Sequence, residues 1–302
     1  MKILITGGSG FLGQALAAEL HRQGHSLVIR SRDPHKQAKR HADIPAEWVG
    51  SYVDITTPID AVVNLAGANL FSRPWTEQRK QGLWKSRINL TNDLVKWLAA
   101  QKNPPGIFLS GSAVGYYGNQ GEQILNEGSA AGTDWAANMV ANWEDASKPA
   151  AHSMRTVQLR TGLVLGRGGL LKPMLPAFKA GLGGSLADGQ FWYSWIHVQD
   201  WVNAVVFLLN CSDCQGPYNL TAPNPVRYKQ LAETLGSTLH RPVWFTPPRW
   251  ALKVLLGERA DLMLGSTRAL PERLQQAGFQ WRYPTVQDAL AAAVLLVNRL
   301  QR

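Results

Sequence analysis

At 302 residues the chain is long enough to bury a large core, as one big α/β domain or two unequal ones. Hydrophobic content of 45% beside 17% charged residues excludes a disordered chain, and the longest apolar run near the end, 289–297, is too short to span a bilayer. A net charge of +10 raises nucleic acid as a partner, but the basic residues are scattered with no block of five or six, which argues against it.

The first element is the most informative. An apolar strand at 2–6 runs into Thr6-Gly7-Gly8-Ser9-Gly10-Phe11-Leu12-Gly13, and a helical pattern follows with Phe11, Leu12, Ala15, Leu16 and Leu20 on one side. Strand, glycine-rich turn and helix N-terminus in that order suit a dinucleotide diphosphate. Gly7 permits the tight turn, Gly10 lets the backbone approach phosphates, and Gly13 lets the helix pack closely. The free N–H groups and positive dipole end of the helix then face the anion.

Further strands are expected at 26–30, 61–65, 106–111 and 155–161, alternating with helices, which predicts a mostly parallel sheet covered on both faces. Residues 33–60 are polar and proline-bearing and predict a short or irregular unit. Leu83, Leu90, Leu94 and Leu98 mark a long helix over about 76–100, and another covers 133–147. Trp84, Trp97 and Trp143 fall in these helices and read as packing groups rather than base-stacking ones. After Gly166 the pattern changes to glycine-rich loops, short strands at 192–197 and 217–221, and helices near 198–210, 227–238, 248–256 and 285–300. Cys211 and Cys214 form a lone C-x-x-C in a polar turn, with no second pair for zinc, so neither metal nor redox work is expected of them. No signal-peptide pattern precedes the first strand, and a cytoplasmic protein without a membrane partner is expected.

The end of the second strand selects the cofactor. A carboxylate there bonds the ribose hydroxyls of NAD, whereas a basic residue accommodates the 2′-phosphate of NADP. Here Arg30 is followed by Ser31 and Arg32, and Asp33-Pro34 reads as a helix N-cap with proline in the first turn. Ser31 and Arg32 are therefore assigned to the phosphate, with Arg30 in reserve, and NADP(H) is the expected cofactor. Asn64-Leu65-Ala66-Gly67 closes the next strand with small groups that leave room for adenosine.

T-G-G-S-G-F-L-G at 6–13, N-L-A-G at 64–67 and S-G-S-A-V-G-Y-Y-G at 110–118 resemble the extended short-chain dehydrogenase/reductase superfamily. The stretch 187–200 is similar to the G-x-G-x-Q-x-R-D-Y-I-H-V-x-D loop of nucleotide-sugar epimerases. A subgroup, epimerase-family proteins of the YfcH / SDR39U1 type, is resembled more closely. Its L-R-T-G-x-V-L-G (159–166), G-L-G-G (181–184), W-I-H-x-x-D (195–200), L-G-E (256–258) and A-L-P-x-R-L (269–274) recur in order. The resemblance spans nearly the whole chain. It implies an α/β fold with a Rossmann-type doubly wound parallel sheet over 1–220, part of the substrate lobe being inserted at about 166–197. A smaller C-terminal α/β lobe over 221–302 would lie on the substrate side. It also implies Leu65 and Ala66 at the adenosine, with Gly67 beside them, Arg87 on a phosphate or ribose oxygen, and Gly162 and Leu163 near the nicotinamide. A homodimer through the long helices is expected from the superfamily.

The superfamily's chemistry rests on a Y-x-x-x-K pair beside a serine, through which a proton passes to or from the substrate oxygen while hydride moves at the nicotinamide. Ser112 fits the serine. The pair is absent, because the matching positions are Trp135 and Met139, which neither exchange a proton nor carry charge. Tyr116 is the first candidate to replace the acid, with Tyr117 and His197 as alternatives. Arg160 reads as an organiser of the site, and Lys172 as a remote candidate for substrate phosphate. The expected activity is an epimerase-like oxidoreductase on a small polar substrate, a sugar nucleotide or carbonyl compound. The alternative is a non-catalytic NADP(H)-binding sensor.

Overall fold

The structure is a computed structural model that describes residues 1–299, the side chains of 296–299 excepted. In chain order, the first half contains β1 (Lys2–Thr6), α1 (Phe11–Arg22), β2 (Ser26–Arg30), α2 (Pro34–Arg40), β3 (Glu47–Val49), β4 (Ala61–Asn64), α3 (Glu77–Trp84), α4 (Leu90–Ala99) and β5 (Ile107–Ala113). Then come β6 (Ile124–Leu125), α5 (Trp135–Ser147), β7 (Arg155–Thr161), β8 (Leu163–Leu165), α6 (Leu171–Lys179), β9 (Trp192–Tyr193), β10 (Trp195–His197), α7 (Val198–Asn210) and β11 (Gly216–Leu220). The last part holds β12 (Val226–Arg227), α8 (Tyr228–Leu239), α9 (Arg249–Leu256), α10 (Arg259–Met263), β13 (Arg268–Ala269), α11 (Glu272–Gln276) and α12 (Val286–Arg299).

Seven parallel strands form the main sheet in the order β11-β7-β5-β4-β1-β2-β3. The chain starts at β1, runs outward through β2 and β3, then crosses back to β4, so the order reverses beside β1. That switch point opens a crevice at the C-terminal strand ends. The central strands are apolar on both faces because helices cover both. Ile3, Ile5, Val63 and Leu109 pack with Leu16, Ala17 and Leu20 of α1 and with Trp201, Val205 and Leu208 of α7. Leu4, Val62 and Phe108 pack with Leu94 and Leu98 of α4 on the other side. Each such leucine, fully buried, stabilises the fold by about 1.5–3 kcal/mol.

The expected strands and most helices are present within a residue or two, with three informative differences. The long helix over 76–100 is a continuous coil in which residues Lys85–Asn89 form a π-helical turn between α3 and α4. The 192–197 strand divides at Ser194 into β9 and β10, which belong to different two-stranded sheets. Helix α6 lies where only loops were expected. Pro173 falls in its first turn and Pro176 inside it, so the prolines masked a helix whose Leu171, Leu175 and Phe178 are buried. Residue 300, the end of the expected last helix, lies outside the described residues. Cys211 and Cys214 are joined in a disulfide that closes the turn after α7, while Arg155 binds the carbonyls of Leu208, Leu209 and Cys214. Among the described residues no helix is long and apolar enough to cross a membrane.

Candidate functional site

The glycine turn after β1 is closed by backbone. Gly7 has φ 71°, and a Cβ there would fall 2.6 Å from the Leu65 carbonyl oxygen. A Cβ on Gly13 would fall 2.4 Å from the Gly7 oxygen. Gly10 donates its N–H to the Gly7 carbonyl (2.9 Å) and stands as N-cap of α1 without a side-chain cap. No acidic residue occupies the first turn, so the positive end of the helix keeps its pull on an external anion. Phe11 is roofed by the loop after β8, since Cβ atoms on Gly166 and Gly168 would meet its ring at 2.8 and 2.5 Å. At Gly7 and Gly13 this cradle has room only for glycine.

Across the crevice, Thr6 Oγ1 donates to Asn64 Oδ1 (2.5 Å), Asn64 Nδ2 donates to Thr91 Oγ1 (2.8 Å), and the Ala66 N–H reaches Thr6 Oγ1 (3.3 Å). These bonds fix Leu65, Ala66 and Gly67 against β1. Behind Gly67 lies Arg87, only 8% exposed, with its Cζ 3.1 Å from where a Gly67 Cβ would be. The π-helical turn sets it there. A π turn adds a residue to the coil and turns its side chains relative to the flanking helices. Arg87 Nη2 donates to the Ala68 carbonyl (3.0 Å), Nη1 more weakly to the Leu83 carbonyl and Ser86 Oγ, and the guanidinium faces the Trp143 ring at 5.3 Å. Among the described residues it has no carboxylate partner. Burial, with Arg79 nearby, pushes its pKa down to about 10. Its charge is met by neutral acceptors alone.

At the outer end, Ser31 donates its N–H to Val49 O (2.9 Å) and accepts at Oγ from the Asp33 N–H (3.3 Å). Asp33 caps α2 by accepting from the Lys36 N–H. Its carboxylate is therefore committed to the helix, and Arg32 stands exposed beside Ser31. Arg30, the reserve, lies over the Tyr52 ring at 5.3 Å. Gly162 and Leu163 mark the point where the chain leaves the main sheet. Gly162 donates to Leu220 O, Leu163 donates to Ser194 O (2.8 Å), and β8 then pairs with β10.

The reacting end is a buried polar network. Ser112 is 5% exposed, and its Oγ donates to Glu144 Oε1 at 2.6 Å. The Glu144 carboxylate also accepts Arg160 Nε (2.8 Å) and Nη2 (2.9 Å), a two-pronged pair. Arg160 Nη1 reaches Tyr117 Oη (3.0 Å) and the Glu127 carbonyl, and its Cζ sits 3.6 Å over the Tyr116 ring. Tyr117 donates to Asn219 Oδ1 (2.7 Å), while the Asn219 N–H is held by Glu127 Oε1 (3.0 Å). Burial lowers the Arg160 pKa, but Glu144 more than offsets this and holds it above the ordinary value. Burial pushes Tyr117 up to about 12, opposed by Arg160 and Asn219. Tyr117 is thereby a fully buried structural group. Tyr116 keeps part of its surface open and meets the Tyr117 ring edge-on at 5.4 Å.

Glu144, Asn219 and Glu127 were not singled out from the sequence. Glu144 follows Trp143 on a helix read as packing, and only the structure shows that it turns toward β5 and β7. Trp135 and Met139 are occupied as packing residues. The Trp135 ring meets Trp75 at 4.9 Å with Lys80 Nζ 5.6 Å above it, and Met139 is buried with Leu83, Ile88 and Trp143. His197 caps α7, its Nδ1 accepting from the Gln199 N–H (3.1 Å), and its ring lies 4.1 Å from that of Tyr283. Burial, with Arg282 nearby, pushes its pKa down to about 4. Lys172 is exposed on α6.

This geometry, a switch-point crevice with a glycine turn and a polar network at adjoining strand ends, defines a Rossmann-type α/β protein. The profile of the NAD dependent epimerase/dehydratase family matches residues 3–221, and a domain of unknown function, DUF1731, matches 247–293. The chain belongs to that epimerase/dehydratase family. It is 37% identical over 305 residues to the chloroplastic "Epimerase family protein SDR39U1 homolog" of Arabidopsis thaliana, covering 97% of this chain and 86% of that one. It is 36% identical to Epimerase family protein YfhF of Bacillus subtilis, covering 97% and 98%. The crystal structure of the human epimerase family protein SDR39U1 with NADPH superimposes with a TM-score of 0.90 at 30% identity, over 98% of this chain and 99% of that one.

Proposed function

We propose that this protein is an NADP(H)-binding, epimerase-like oxidoreductase acting on a small polar substrate, a sugar nucleotide or carbonyl compound. The observation that carries the reading is Arg87, buried without a carboxylate among the described residues behind a glycine cradle whose helix end has no side-chain cap. The NADPH in the human relative supports it. In this reading the first N–H groups of α1, with Gly7, Gly10, Phe11, Leu12 and Gly13 around them, hold the diphosphate. Arg87 takes a phosphate or ribose oxygen. Leu65, Ala66 and Gly67 border the adenosine, Ser31 and Arg32 take the 2′-phosphate, and Gly162 and Leu163 lie by the nicotinamide.

When bound, the cofactor supplies hydride exchange at C4 of its nicotinamide. The chain supplies proton handling and orientation. The Ser112 proton is committed to Glu144, so its lone pairs are left to accept from a substrate hydroxyl. Tyr116, the more open phenol, gives or takes the proton at Oη. Arg160 positions both, through Glu144 on one side and the Tyr116 ring on the other. The packing of Trp135 and Met139 where the family's tyrosine and lysine stand favours a second reading, a non-catalytic NADP(H) sensor.

Arg32→Ala should weaken NADPH by about tenfold or more, the size of a charge-assisted bond, and NADH far less. Equal loss for both overturns the phosphate assignment. Against a panel of carbonyl and sugar-nucleotide substrates, the enzyme reading expects NADPH oxidation that Ser112→Ala slows by about tenfold. Tight NADPH binding with no turnover across the panel selects the sensor. A homodimer through α4 and α5 is retained as a proposal, and light scattering on the purified chain tests it.

A further inference from the structure

Two segments that lie mostly outside the proposed cofactor site meet on one face of the C-terminal lobe. Residues 167–187 and 240–257 are joined by a bridge between Gly183 and Val243. Trp244 Nε1 donates to Gly181 O (3.0 Å), and the Ala187 N–H donates to Pro247 O (3.1 Å). A Cβ on Gly184 would land 1.3 Å from the Phe245 carbonyl oxygen, so the two backbones lie in direct contact. The joined segments expose Leu182, Trp244, Phe245, Trp250, Val254 and Leu255, with Trp250 at 70% and Val254 at 82%. Single exposed apolar residues are ordinary, but six large ones on two touching segments are not.

The charge of these segments is mainly basic. They carry Arg167, Lys172, Arg241, Arg249 and Lys253, with Asp188 and Glu258 at their borders, Glu258 being paired with Lys80. On α9, Arg249 and Lys253 lie one turn apart, and Trp250 and Val254 form a second stripe one turn apart beside them, while Leu252 is buried beneath. Lys253 also reaches Asp261 on α10 (3.1 Å), which stands at the rim with its carboxylate largely exposed.

We propose that this face docks peripherally on an anionic lipid surface. Trp and aliphatic side chains settle at the boundary of headgroups and acyl chains, and the adjoining Arg and Lys extend to the lipid phosphates. A second copy of the chain fits less well, because a two-fold contact would bring the same cations together, with carboxylates only at the rim, where Asp261 already pairs with Lys253. An acidic protein partner would answer the charges but not the parallel stripes, whose two levels match hydrocarbon and phosphate. The face also adjoins the proposed cofactor cleft. Arg259 Nη1 donates to Phe71 O (3.2 Å), and Lys80 pairs with Glu258 (2.6 Å), tying the end of α9 to the segment that follows Gly67. No one stretch of sequence spells this surface, which is why the sequence led to no membrane partner.

The test is cosedimentation of the full chain with phosphatidylcholine vesicles, alone or with phosphatidylglycerol as about one third of the lipid. Binding is expected to the anionic vesicles, about tenfold weaker to neutral ones, falling with salt and shifting Trp emission to the blue. Trp250→Glu with Val254→Glu should weaken it about tenfold, as should Arg249→Gln with Lys253→Gln. Ser212→Glu with Gln215→Glu, the same charge change as the Trp250/Val254 pair in the exposed turn after α7, should change it less than about twofold. Retained NADPH binding shows that each variant is folded, and light scattering reports its oligomeric state. No binding to anionic vesicles overturns the proposal. So does equal loss from the Ser212/Gln215 substitutions, or an oligomer of the parent chain that the Trp250/Val254 substitutions dissociate.

Discussion

The two ends of the crevice are made of different materials. At the proposed cofactor end, a run of thirteen residues supplies turn, cradle and helix end, and its contacts are mostly backbone. At the reacting end, Ser112, Glu144, Arg160, Tyr117 and Asn219 come from separate elements and satisfy one another through side chains. Glycine geometry carries the first end, and an ion pair shielded from water carries the second. The first leaves its helix end without a side-chain cap. The second is already complete, so its disruption should show in stability before it shows in binding.

Glu144→Ala sharpens that contrast most. It strands the Arg160 guanidinium in the interior, and the expected loss is about 3–5 kcal/mol in chemical denaturation, with NADPH affinity of the folded protein changed less than about threefold. A loss below about 1 kcal/mol would mean that water reaches Arg160 and that the network is not structural. Next comes His197, neutral in the fold because burial depresses its pKa from 6.5 to about 4. The unfolded chain binds the proton first, so the stability this residue contributes is full above pH 6.5 and is lost as pH falls toward 4. It amounts to about 3 kcal/mol across that window. His197→Asn, which keeps an acceptor for the Gln199 N–H, should flatten the slope there. Gly13→Ala acts at the other end. Its Cβ meets the Gly7 carbonyl oxygen and the Gly8 Cα, at a cost of about 1–3 kcal/mol, and NADPH affinity should fall at least about tenfold with it. If binding survives that substitution, the cradle does not hold the diphosphate.

The same contrast explains what was legible in the sequence. The strand-glycine-helix run, the Asp33-Pro34 cap and the alternation of strands and helices are local patterns with local causes, and they placed the main sheet correctly. Arg87 was named only through resemblance, and the π turn that buries it leaves no mark in a leucine repeat. Helix α6 was hidden by two prolines. Glu144 sits between Trp143 and Asp145 with nothing in its neighbourhood to show that it turns inward. Its partners lie at 112 and 160, and only the pairing of β5 with β7 brings Ser112 level with Arg160. Ser112 and Arg160 could be named along the chain, but their partnership through long-range register, and Glu144 between them, could not.

The central claim is that Arg87 and the α1 turn together form the anion site for a phosphorylated dinucleotide. Calorimetric titration of NADPH into the parent chain and into Arg87→Leu tests it directly. The account predicts saturable binding to the parent and affinity about tenfold or more lower in the variant, as for loss of a charge-assisted bond. No heat of binding from the parent, or unchanged affinity in Arg87→Leu, would contradict it.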